Sequence, residues 1–149
     1  MTSLIKENIF SSKPKQIAQA IVEILLKVFG KIESSSFIVL SDMKLPMNIS
    51  ENLKKRGFKK YNISKEPLDK LLSNEVNNDE KISNLIEKFD VIMIGYISEK
   101  KLVNTELVKK ILKKRKQKPM LFVDCGLPGN INIEVGKIQN CFLFDLNDL

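Results

Sequence analysis

Histidine and tryptophan are absent from the 149 residues, and cysteine occurs only as Cys125 and Cys141. Without histidine there is no Ser–His or Cys–His pair to activate a nucleophile, and no imidazole to ligate a metal. The two cysteines lack metal-ligand spacing, so the sequence predicts neither catalytic residues nor a metal site. No apolar run reaches the roughly eighteen residues that cross a bilayer; the longest, such as "VIMIG" and "MLFV", are strand-sized. The N-terminus "MTSLIKENIF" lacks a basic region, a continuous apolar stretch and a small-residue cleavage site. A cytoplasmic protein with two reduced thiols and no membrane contact is therefore expected. Glycine is also scarce: there are six, and none falls between Leu40 and Ser50.

What is present fits one folded domain over residues 1–149, since the length suits one core and 43% hydrophobic residues exclude general disorder. The net charge of +7 raises the question of an anionic partner. Lysine, isoleucine and asparagine dominate together, as an AT-rich genome would produce, so lysine alone argues weakly for such a partner.

Ile17, Ile21, Ile24, Leu25 and Val28 form a helical stripe over residues 13–29. Ser12 stands where a cap would be, Pro14 in the first turn and Gly30 just past the end. Residues 37–40 read as a buried strand, and Pro46 opens a helix through Arg56 that Gly57 stops. "FKKYNI" is a second strand, and Pro67 opens a helix over Leu68, Leu71 and Leu72. The polar stretch 73–80 leaves room for at most a short strand. Ile82, Leu85, Ile86 and Phe89 give another helical face, followed by the buried strand "DVIMIGY". Asn104 is placed to cap a helix from Thr105 to about Lys116, and "PMLFVD" and "CFLFDL" close the series. Continuous apolar strands separated by helices mean βαβ units in a sheet covered on both faces. The sequence predicts a doubly wound, Rossmann-like α/β fold: five or six parallel strands, with the N-terminal helix packed alongside.

In such a fold the first strand–turn–helix normally carries glycines that let backbone N–H groups reach a pyrophosphate. Here that turn is Ser41-Asp42-Met43-Lys44-Leu45-Pro46. It reads either as a variant nucleotide site or as a plain connection.

The segment "KPMLFVDCGLPGNINIEVGKIQNCFLFDLNDL" resembles the end of the nucleotide-binding domain of glutamyl-tRNA reductase. Pro119, Asp124, Pro128, Ile131, Glu134, Val135, Gly136, Leu143, Asp145, Asp148 and Leu149 fall in step with that family's pattern. From about residue 10 onward the remainder follows more weakly, through the first helix, the first strand, the Gly57 stop and "FDVIMIG". The resemblance implies an NADP-binding domain of the shikimate-dehydrogenase-like group. It also implies a connection with tetrapyrrole synthesis, in which the family reduces the glutamyl ester on tRNA to an aldehyde.

The same resemblance marks departures. The family's phosphate turn, "GaGeMG", falls on residues 41–46, so all three glycines are replaced. Its "NR" after the second strand, whose arginine meets the NADP 2′-phosphate, falls on Lys65 and Glu66. Its Pro-Arg falls on Pro128-Gly129. The site expected from this alignment comprises Ser41, Asp42, Met43, Lys44, Lys65, Glu66, Gly95 and Pro128. Met43 puts a side chain where phosphate should lie, Asp42 and Glu66 add like charge, and Lys44 offsets part of that of Asp42.

The family's catalytic and dimerisation domains have no counterpart in this sequence, so no catalytic cysteine and no V-shaped dimer are expected. The resulting expectation is a degenerate nucleotide-binding-like module that holds no cofactor and meets an unidentified protein partner. One alternative is an NADP-dependent reductase subunit acting with a separate catalytic domain. The other is a basic RNA-associating protein using the lysine-rich run 109–118 to contact tRNA or another nucleic acid. That run also reads as a solvated helix end, and Asp124 as an acceptor for the turn that follows it.

Overall fold

The computed structural model describes residues 13–72 and 78–148. The cap expected at Ser12 and the polar residues 73–77 lie outside these.

Helix α1 (Pro14–Phe29) begins with proline in the first turn, where a missing N–H costs nothing. It ends where Gly30 adopts φ 80° and returns its N–H to the Leu26 carbonyl. The chain continues through β1 (Ser36–Ser41), α2 (Lys44–Lys55), β2 (Lys60–Ser64), α3 (Leu68–Leu71), α4 (Asn78–Ile86) and β3 (Val91–Gly95). It then passes through α5 (Thr105–Lys114), β4 (Met120–Asp124) and β5 (Cys141–Asp145), with 3-10 turns at Ile133–Lys137 and Leu146–Asp148. The five strands are all parallel, in the order β2-β1-β3-β4-β5. The doubly wound fold and the N-terminal helix are as the sequence predicts.

Alternate residues of the inner strands feed two cores. Phe37, Val39, Met93 and Val123 face α1 and α2, where Ile21, Leu25, Ile49 and Leu53 meet them. Ile38, Leu40, Ile92 and Phe122 face α4 and α5, against Ile82, Ile86, Val108 and Ile111. Every residue of β1, β3 and β4 is buried, whereas the edge strands β2 and β5 are half open. Each large aliphatic side chain so buried contributes about 1.5–3 kcal/mol.

Some boundaries differ from expectation for local reasons. α2 starts at Lys44, two residues before Pro46, because a proline inside the first turn removes only an N–H the helix cannot use. α5 stops at Lys114, since Lys116 and Gln117 take left-handed φ values of 53° and 64°. Asn104 caps α5 as expected, its side chain accepting from the Leu107 N–H at 2.9 Å.

The order reverses direction between β1 and β3. Open α/β sheets bind ligands at that place, beyond the carboxyl ends of the strands. Helix-to-strand connections gather at the opposite edge. There Arg115 is almost fully buried against Asp90, with guanidinium and carboxylate 2.8 Å apart.

Candidate functional site

At the end of β1, the buried Ser41 hydroxyl donates to the Gly95 carbonyl of β3 at 2.6 Å. The same oxygen accepts the Met43 N–H at 2.9 Å. Ser41 thereby closes the turn with a side chain, taking up a backbone donor that a glycine turn would aim at an anion. Met43 is extended at the N-cap position of α2, contributes no capping bond, and is only 6% exposed within the first core. Of the N–H groups the helix cannot use itself, Lys44 and Leu45 remain and Pro46 has none.

Gly95 permits the close packing that follows. A Cβ there would stand 2.8 Å from Cys125 Cβ and 3.2 Å from Pro46 Cγ. The helix thus rests on the sheet through a proline against a strand glycine. What remains open is a cleft of about 200 Å³, bordered by Asp42, Met43, Lys44, Asn48 and Lys65.

Tyr96 lies across this region. It is 1% exposed, and its hydroxyl donates to the Glu66 carbonyl at 3.1 Å. Since β1 sits between β2 and β3, this bond ties the segment after β2 to the end of β3 over the end of β1. Burial, and then the Asp42 and Glu66 carboxylates, push the phenol well above its ordinary pKa, so it stays a donor.

The loops after β3 and β4 are joined as well, through single parallel bridges at Ile97–Leu127 and Val103–Ile131. Asn130, fully buried, accepts the Tyr96 N–H at 2.8 Å and donates to the Ser98 and Lys100 carbonyls. Asp124 is fully buried and accepts N–H bonds from Gly126, Asn130 and Ile131 at 2.9, 3.0 and 2.9 Å. Burial raises its pKa, with Asp145 adding to the rise, while those three donors pull the other way. Asp124 therefore serves the following turn. Gly129 is pressed against it: a Cβ there would lie 2.8 Å from Asp124 Oδ2.

Ser41, Asp42, Met43, Lys44 and Lys65 thus come together on one cleft. Glu66 joins them through its carbonyl and its charge near Tyr96, and Gly95 lies beneath Pro46. Pro128, exposed beyond the cis Leu127–Pro128 bond, sits apart on the β4 loop. Tyr96 and Asn130 escaped the sequence reading. An aromatic after an apolar run and an asparagine in a Gly-rich turn carry no distinctive spacing.

The two thiols are buried and take no part in the cleft. Burial raises both, Cys125 well above the ordinary value and Cys141 to about 12. Iodoacetamide at pH 8 is expected to leave both unmodified in the folded protein and to alkylate both in urea; rapid native labelling would contradict the burial. Above pH 9 the unfolded chain loses the Cys141 proton while the folded chain keeps it. Stability therefore falls as pH rises from about 9 to about 12, by up to about 1.4 kcal/mol per pH unit for this group.

Among the described residues no group of three His, Cys, Asp or Glu could hold a metal ion. No described helix is long and apolar enough to cross a membrane.

A parallel sheet with a strand–turn–helix at its switch point defines a doubly wound nucleotide-binding fold. The chain belongs to the Shikimate / quinate 5-dehydrogenase family, which it matches over residues 27–149. It is similar to the glutamyl-tRNA reductase of Maridesulfovibrio salexigens, at 24% identity over 149 residues, covering 96% of this chain and 34% of that protein. The glutamyl-tRNA reductase of Bacillus pumilus is also 24% identical, over 96% of this chain and 33% of its own length. Glutamyl-tRNA reductase from Methanopyrus kandleri shares the fold, with a TM-score of 0.72 at 16% identity over 89% of this chain and 35% of that one. The resemblance read from the C-terminal segment therefore extends along the chain. The chain spans about a third of the length of the curated relatives it matches.

Proposed function

We propose that this is a glutamyl-tRNA reductase-like nucleotide-binding domain whose dinucleotide site is closed, leaving a binding module without reductase activity. The observation that carries the reading is the β1–α2 turn. Ser41 uses the Met43 N–H, Met43 fills the space beside the helix start, and Pro46 withholds a third donor. The residues present do not fit NADP. A pyrophosphate would meet Asp42 and lose donors it needs, and a 2′-phosphate would meet Glu66 in place of an arginine. Tyr96, bonded to the Glu66 carbonyl, holds the adjoining segment down. With no cofactor seat, the surface of the fold is left for a protein partner.

A second reading is supported by Lys44 and Lys65, which border the cleft and could meet phosphate: an NADP-dependent subunit completed by a separate catalytic domain. Thermal unfolding separates the two. A ligand with a Kd of about 10 μM present at about 1 mM stabilises by about 2.7 kcal/mol, which raises the midpoint by several degrees. The closed site predicts a shift below about 1 °C with NADPH, and a shift of several degrees would favour the second reading.

A further inference from the structure

The lysine excess is not spread evenly over the fold. Because all strands are parallel and the helices return between them, every helix-to-strand connection lies at one edge of the sheet. The two densest basic stretches, "KKRGFKK" at residues 54–60 and "KKRKQK" at 113–118, are both such connections, leading into β2 and β4. Lys31 precedes β1, Lys88 precedes β3 and Lys137 precedes β5, all exposed. At about 4.8 Å per strand, these five positions form a basic strip roughly 19 Å long.

Among the acidic residues at this edge, Glu33 is exposed and Glu134 pairs with Lys137 of the strip. Asp90 is buried between Arg115 and Lys118, and Glu87 pairs with Lys114. At the opposite edge Asp42, Glu66, Glu99, Asp124, Asp145 and Asp148 outnumber Lys44, Lys65, Lys100 and Lys101, so the molecule is electrically polar.

Cations are ordinary at helix C-termini, but the dipole's influence fades within the last turn. Lys59 and Lys60 lie past the end of α2, and Lys116 and Lys118 past the end of α5. Lys116 and Gln117 are held in consecutive left-handed conformations that glycine or asparagine would adopt with less strain. Arg115 holds this turn, donating to the Lys118 and Pro119 carbonyls. The chain thus maintains lysine on an unfavourable backbone at the place where the strip is densest.

From these observations we infer that the amino-terminal edge of the sheet is a docking surface for a nucleic-acid phosphodiester backbone. A linear polyanion matches a linear cationic strip, and each neutralised phosphate releases a condensed counterion. Leu26, Tyr61 and Phe142, near this edge, are 46%, 44% and 40% exposed, and Tyr61 is stacked on Phe37 beneath Lys54. The Tyr61 ring is thus already engaged by Phe37 and Lys54, which leaves it less free to stack on a base. The recognition is of the backbone and independent of sequence.

Fluorescence anisotropy with a labelled 20-nucleotide single-stranded RNA, and with a duplex DNA, tests this on the full chain. Three or four phosphate contacts predict a loss of affinity of about 20- to 50-fold for RNA between 50 and 200 mM KCl. The variant Lys59→Gln/Lys60→Gln/Lys113→Gln/Lys116→Gln should lose at least about tenfold at low salt with a shallower salt slope. Lys70→Gln/Lys100→Gln, away from this edge, should bind as the parent does. The tighter of the two arms identifies the nucleic acid. Absence of binding at 50 mM KCl, an unaffected four-lysine variant, or tighter binding to polyglutamate or phosphatidylserine vesicles would overturn the inference.

Discussion

Replacing Arg115 with alanine is expected to lower the unfolding free energy by about 3–5 kcal/mol, the cost of leaving a buried partner charge with only an exposed lysine to compensate it. The guanidinium and the Asp90 carboxylate are 6% and 3% exposed, so water cannot substitute for either. Arg115 also donates to the carbonyls of Glu87 and Phe89 before β3, and of Lys118 and Pro119 before β4. Its planar fork therefore joins two helix-to-strand connections, and Asp90 extends the join to β1 by accepting the Ser36 N–H at 3.1 Å. Without Arg115, Asp90 keeps only Lys118 at 3.1 Å, whose own side chain is 55% exposed, and Ser36. Arg115→Lys should fall between, preserving the charge and losing the fork. Urea unfolding should show a lower midpoint at unchanged slope. A loss under about 1 kcal/mol would mean that the pair contributes little beyond its geometry.

The second large effect is a gain. Ser41→Gly/Met43→Gly/Pro46→Gly/Glu66→Arg should raise NADPH affinity at least about tenfold over the parent. Two of the obstacles removed, the Met43 side chain and the Glu66 charge, are each worth about 1–2 kcal/mol. The variant will be less stable: Met43→Gly vacates a buried site, at about 2–4 kcal/mol, and Ser41→Gly deletes bonds to Gly95 and Met43. Its urea midpoint must therefore be measured alongside, since only a folded variant is informative. A folded variant with no gain would place the obstruction elsewhere, with the Tyr96–Glu66 tie the next feature to release.

The inner strands were legible in the sequence because both of their faces are buried, which leaves uninterrupted runs such as "FIVL", "VIMIG" and "MLFV". Pro14, Gly30 and Asn104 act within one turn of their own helices, so their caps were legible too. The cleft was legible as a set of positions, through the alignment of residues 41–46 with a glycine-rich turn. The contacts that shape it were not. Ser41 acts on Gly95, Tyr96 on Glu66 and Asn130 on Tyr96, contacts 54, 30 and 34 residues apart that no local pattern encodes. The run 109–118 does not act as one unit. Arg115 is a buried brace, Lys114 and Lys118 are paired, and their neighbours gain meaning only beside residues 54–60 at the same sheet edge.

The proposed function requires that the β1–α2 turn does not accept a dinucleotide. Direct titration of NADPH into the unmodified protein, followed by nicotinamide fluorescence and by heat, tests it. The closed turn predicts no saturable signal up to about 1 mM, weaker than roughly −4 kcal/mol of binding free energy. Stoichiometric saturation near 10 μM would contradict it.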